Sequence, residues 1–179
     1  MSADPRCDIR IVCRLKPGEC ALDSLLKAIE ECGWKRSDRG FRRDGVEIRI
    51  RDVSLSGDEA VFSAGSVGGE VLEDFVKAVI RRCWYADVYY HVRGDLAKQI
   101  ASRLGLGMDE AGGSRVERIK LYGVPMRLEI YPVAGALTAS HRVGWSEVNR
   151  GIVSKTYRRI LGGSGAGRSL LDRVLGWIK

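Results

Sequence analysis

The sequence predicts an α+β protein, an antiparallel sheet with helices packed on one face, and three observations predict it. Asp8 to Leu15 alternate at period two, Leu72 to Cys83 carry the clearest helical stripe, and Asp44-Gly45 sits between two alternating runs. Period two is the mark of a half-buried strand, and the 3.6-residue stripe marks an amphipathic helix. Asp-Gly tolerates the positive φ that a two-residue hairpin turn demands.

In chain order, Ile9, Ile11, Cys13 and Leu15 face one way and Arg10 and Arg14 the other, and Pro17-Gly18 ends that strand. From Cys20 to Trp34, Leu22, Leu25, Leu26, Ile29 and Cys32 recur at helical spacing, with Gly33 at the helix end. A hairpin follows over 41–53, its second arm turning Val46, Ile48 and Ile50 inward and Glu47, Arg49 and Arg51 outward. Ala60 to Ala64 reads as a short strand and Glu70 to Trp84 as a helix on Leu72, Phe75, Val76, Val79, Ile80 and Cys83.

The second half reads in the same order. Ala86 to Arg93 is a strand, Asp95 to Leu104 a helix, and Gly105 to Ser114 a Gly-rich loop. A hairpin over 115–131 turns near Gly123-Val124-Pro125, and one long helix runs from Trp145 to Leu161 with Val148, Ile152 and Ile160 inside. The expectation is two β-α-β-β-(β)-α pseudo-repeats, 1–85 and 86–161, followed by a Gly-rich linker and C-terminal amphipathic helix over 162–179, packed as separate units or one compact domain.

Two repeats of this order and length resemble the saddle of the TATA-box-binding proteins. The resemblance is one of topology. That family inserts paired phenylalanines between base steps, whereas this chain has only Phe41, Phe62 and Phe75, with Phe75 on a helix core face. No family membership follows.

Composition bounds the class. With 179 residues, 45% of them hydrophobic, the chain can bury a real core, and its apolar runs are too short for a membrane helix. The charged first ten residues lack the apolar stretch of a secretory signal, so a cytoplasmic location is expected. Single Asn149 and Gln99 residues with 30% charged residues point to a thermophilic source. The 22 arginines against 8 lysines require another cause, a GC-rich genome or selection for phosphate contacts. Cys7, Cys13, Cys20, Cys32 and Cys83 never fall at C-x-x-C spacing, which argues against structural zinc. They read as buried apolar residues, with a disulfide among the first four open to a thermophilic chain.

Three patterns touch on chemistry. Gly162 to Ser169 matches a phosphate-binding loop apart from Arg168 in place of Lys, but a helix precedes it where a strand is required, so it reads as a linker. Tyr89, Tyr90, His91 and His141, with Lys155, are the residue types of a metal-independent nuclease, although nothing in the sequence brings them together. Asp and Glu stand beside Arg or Lys throughout, which suits salt-bridged faces better than a metal cluster. No catalytic residue, metal or cofactor is assigned.

Charge points elsewhere. Ala136 to Lys179 hold eight basic residues against Glu147 and Asp172, while the other 135 residues carry 22 basic and 21 acidic side chains. Asymmetry of this kind marks a polyanion-binding end. The expected phosphate contacts are Arg142, Arg150, Lys155, Tyr157, Arg158, Arg159 and Arg168, with Ser154 and Thr156 adding hydrogen bonds. Arg10, Arg14, Arg49, Arg51, Arg118, Lys120 and Arg127 are expected on the sheet face away from the helices, diluted by Glu47 and Glu129. Of the aromatic residues, Tyr122 and Tyr131 are the expected stacking platforms there. The expected function is a non-catalytic nucleic-acid-binding protein, for DNA or RNA, or an accessory subunit of a complex that processes them. A protein assembly subunit docking through residues 168–179, or self-associating there, is one alternative and the nuclease the other. No membrane role is expected.

Overall fold

The computed structural model describes residues 7–18, 20–54, 57–65, 67–109 and 113–161. The expected linker and final helix, with Arg168 and the loop-like motif, lie outside them. In chain order the first-half elements are β1 (Cys7–Leu15), α1 (Ala21–Glu31), β2 (Lys35–Ser37), β3 (Gly40–Arg43), β4 (Val46–Val53), β5 (Glu59–Ala64) and α2 (Gly69–Ile80). The second half holds β6 (Cys83–Arg93), α3 (Gly94–Arg103), β7 (Arg115–Leu121), β8 (Val124–Tyr131), β9 (Ala136–Val143), α4 (Trp145–Asn149) and α5 (Ile152–Ile160).

All nine strands form one antiparallel sheet, in the order β2-β3-β4-β5-β1-β6-β9-β8-β7. The α+β class and the antiparallel sheet stand as expected. β1 and β6 lie side by side near its middle, Cys7 opposite Val92 and Cys13 opposite Ala86. In each half the last strand returns beside the first, β5 against β1 and β9 against β6.

Alternation then sorts the residues. Cys7, Ile9, Ile11, Cys13 and Leu15 are buried on β1, and Met126, Leu128 and Ile130 on β8. They face the helix layer, where α2 packs between α1 on one side and α4 and α5 on the other. Phe75 of α2 is the hub, its ring 5.1 Å from Trp34, 5.2 Å from Phe62 and 6.4 Å from Phe41. Such edge-to-face arrangements suit the ring quadrupoles and add to the burial of large side chains.

Several expectations change. The Asp44-Gly45 turn forms as expected, with φ of 51° and 78°. The helix expected to reach Trp84 stops at Ile80, because the Arg82 carbonyl accepts the Lys16 amide (3.0 Å) and draws Cys83 into the sheet beside β1. The single helix over 145–161 is two, broken at Gly151, whose φ of 69° lies in the left-handed region. Gly151 has no capping side chain, and the near-buried Glu73 of α2 supplies one, its Oε2 accepting the Ser154 amide at 3.2 Å. Strands β2 and β9 went unmarked in the sequence, although a third strand was allowed for in the second half. All five cysteines are free thiols, three of them buried.

Gly40 is the tightest backbone approach, since a Cβ there would lie 2.0 Å from the Ile48 carbonyl oxygen. We expect Gly40→Ala to cost about 2–4 kcal/mol in urea unfolding, because backbone must move to admit it. Gly18→Ala, with nothing within 4 Å, should change stability by less than about 0.5 kcal/mol.

Candidate functional site

Among the described residues the helices lie on one side of the sheet and the other face is bare. Cross-strand register places one row of residues over it, because directly opposed residues share a face. From β4 the row runs Arg49, Ser63, Arg10, Tyr89, Ser140, Arg127 and Arg118, each opposite the next. Neighbouring strands lie about 4.8 Å apart, so the row crosses seven strands in roughly 29 Å. Arg127 and Arg118 face one another directly, an arrangement that costs stability unless an anion offsets it. Arg127 is partly offset by Glu129 at 3.1 Å.

Strand β6 crosses the row with a column of aromatic residues. Tyr85, Asp87, Tyr89 and His91 alternate onto the bare face while Ala86, Val88, Tyr90 and Val92 are buried. The rings of Tyr89 and His91 are parallel within 8°, centroids 6.2 Å apart. Burial raises the Tyr89 hydroxyl pKa and lowers that of His91, which the nearby Arg10 charge lowers further. Tyr85 is covered by the Arg142 guanidinium, 3.7 Å above its ring, while Arg142 also grips Asp87 at 2.9 and 3.2 Å.

The expected platforms lie off this column. Tyr122 occupies the β7–β8 turn with φ of 53°, and Tyr131 ends β8 with its hydroxyl bonded to Glu129 at 2.7 Å. Sequence reading passed over Tyr85 and Tyr89 as platforms. The alternation Tyr85, Asp87, Tyr89, His91 against Ala86, Val88, Tyr90, Val92 was the signal that could have found them.

Arg10, Arg14, Arg49, Arg51, Arg118, Lys120 and Arg127 all lie on the bare side, as alternation implies. Arg14 pairs with Asp58 at 3.1 Å. The expected C-terminal cluster does not hold together. Arg142 sits on β9 and joins the sheet face, whereas Lys155 and Arg158 are exposed on α5 and Arg159 is half-buried, in the helix layer across the molecule. Arg150 is exposed at the break between α4 and α5. Tyr157 turns inward toward Tyr90, ring centroids 6.5 Å apart, and packs over Gly69. Ser154 and Thr156 are buried, and the Ser154 hydroxyl bonds the Gly151 carbonyl at 3.1 Å, so neither is placed to meet a phosphate. The reason is one of phase. With the helix restarted at Gly151, its buried stripe falls on Ile152, Val153, Thr156 and Ile160.

Among the described residues no three His, Cys, Asp or Glu side chains gather to hold a metal ion, and no helix is long and apolar enough to cross a membrane. No protein family and no curated protein matches this chain. Two solved structures are weakly similar: the regulatory subunit of aspartate kinase from Thermus flavus, 9% identical with a TM-score of 0.27, and that from Thermus thermophilus in ligand-free form, 9% identical with a TM-score of 0.26. Each likeness covers 87% of this chain and 95% of the other. Similarity of that size assigns neither fold nor function.

The suggested acid-base group divides between the two faces of β6. Tyr90 and His141 meet beneath the sheet, hydroxyl to Nε2 at 2.9 Å, both buried, while His91 lies on the bare face against the Thr138 hydroxyl at 2.8 Å. Lys155 is remote from both, on α5. Burial pushes the Tyr90 hydroxyl well up and pulls His141 down to about 4. His141 is therefore neutral when folded at neutral pH, whereas in the unfolded chain it gains a proton below about 6.5. Its contribution is complete above pH 6.5 and lost as pH falls toward 4, a difference of roughly 3 kcal/mol. Urea unfolding from pH 7.5 to 4.5 should show this decline, and His141→Gln should make the decline shallower by a comparable amount.

Proposed function

We propose that this chain binds nucleic acid, in single-stranded form, on the bare face of its sheet. The observation that carries the proposal is the row from Arg49 to Arg118 crossing the Tyr89–His91 column. Guanidinium groups spaced along a surface suit successive phosphates, and half-buried rings between them suit unpaired bases, whose faces a duplex hides in its own stack. Recognition of this sort is tolerant of sequence, since every base has a π-face. It serves equally a free-standing protein and an accessory subunit of a DNA- or RNA-processing complex.

A second reading has one observation in its favour. Trp84 and Trp145 are both exposed at the end of the sheet where β9 runs into α4, which suits a protein partner. The two readings use different surfaces and can both hold.

Fluorescence anisotropy with a labelled single-stranded oligonucleotide tests the first reading. Tyr89→Ala should weaken binding about tenfold through lost stacking. The Arg10→Gln, Arg49→Gln double variant should reduce the slope of log affinity against log salt by about 1.4, the share of two phosphates on a single strand. Charge reversal at Lys155, Arg158 and Arg159 should weaken binding less than reversal at Arg10 and Arg49. Equal effects, or no binding at low salt, would reject the sheet-face reading.

A further inference from the structure

A hollow of about 740 Å³ opens on the bare face over β1, β4, β5 and β6. Arg10, Arg49 and Arg51 line it with Ser63 and His91. A bulge after Ile50 leaves Arg51 without a cross-strand partner and brings it in beside Arg49, its Nε donating to the Ser63 hydroxyl at 2.6 Å. Bulges re-aim side chains in this way. Asp8 and Glu47 also border the hollow, but each is within ion-pair range of another arginine, Asp8 with Arg93 at 3.6 Å and Glu47 with Arg42 at 3.6 Å. Among the described residues no carboxylate lies within 4.0 Å of Arg10, Arg49 or Arg51. Three like charges are thus gathered in a depression with their nearest anions engaged elsewhere.

We propose that this hollow seats the phosphate monoester at the end of a nucleic-acid strand whose body lies along the row toward Tyr89. The inference rests on the sheet-face reading and adds where the strand ends. A backbone diester carries one negative charge, whereas a monoester carries about −1.5 to −2 at pH 7 and offers three acceptor oxygens. Three guanidinium groups and a hydroxyl match the second better, because arginine forks bind such oxygens in pairs. His91 borders the hollow, its Nδ1 2.8 Å from the Thr138 hydroxyl and its Nε2 buried. From Arg10, at the edge of the hollow, the next position in the row is Tyr89, so a strand anchored by its end passes directly over that ring.

The test uses one single-stranded oligonucleotide in three forms: 5′-phosphorylated, 3′-phosphorylated and with hydroxyls at both ends. One phosphorylated form should bind about tenfold or more tightly than the hydroxyl form, a difference of about 1.4 kcal/mol. Arg51→Gln should reduce that ratio to less than about threefold, whereas Arg118→Gln, on the far edge strand, should weaken all three forms and keep the ratio. Competition by inorganic phosphate and by a nucleoside monophosphate completes the set. Equal binding of all three forms overturns the end seat and leaves the sheet-face reading intact. Failure of every form to bind overturns both. Displacement by inorganic phosphate or the mononucleotide at the concentration of the phosphorylated strand makes this a small-ligand site and overturns the strand-end assignment.

Discussion

The pairing of β1 with β6 is the constraint on which the rest of the structure depends. Nine residues of β1 pair with β6, the last of them past a register shift after Arg14, and that ladder joins the two halves into one sheet. Because each half returns its last strand to the outer side of its first, the pairing leaves β1 and β6 enclosed, with β5 and β9 beyond them. Two long, mostly apolar strand faces then need cover on one side. The helices supply it there, and the opposite side is left mostly to polar residues, with Val12, Val61 and Val116 among them.

One choice of side therefore decides both core and surface. Tyr90 and His141 go inward, where burial keeps the imidazole neutral and the hydroxyl protonated, and they tie β6 to β9 beneath the sheet. Tyr89 and His91, their chain neighbours or near neighbours, go outward with Arg10. A shift of one residue in the β1–β6 register would exchange these sets, placing arginines in the core and apolar residues in water. The burial of Cys13, whose thiol is held protonated chiefly by desolvation, reflects the same register.

Electrostatics on the bare face are uneven for a physical reason. Arg14, Arg42, Arg93, Arg127 and Arg142 each have a carboxylate within 4 Å, whereas Arg10, Arg49 and Arg51 cluster without one among the described residues. Exposed pairs contribute little to stability, so their effect is to cancel field rather than to hold the fold. What remains uncancelled among the described residues is the group of three where β1, β4 and β5 meet, with Arg118 and Lys120 apart from it on the edge strand β7. Net charge alone, placed by composition toward the C-terminal end, did not locate it.

The sequence by itself determined the class of fold, most of the element order and the sidedness of β1, β4, β7 and β8. Those depend on local periodicity: Ile9, Ile11 and Cys13 against Arg10 and Arg14, the stripe through Leu72 and Phe75, and the Asp44-Gly45 turn are legible without neighbours. Tertiary structure alone decided which strands lie together, where α2 ends and where the last helix breaks. The Lys16 amide, far away in sequence, takes the Arg82 carbonyl, and Glu73 caps a helix that begins at Ile152, so both boundaries depend on partners no local window contains. The same holds for the candidate site. Arg49, Arg10, Tyr89, Arg127 and Arg118 form a row only through pairings between distant strands, while Lys155 and Arg158, close to Arg142 in sequence, end on the other side of the molecule.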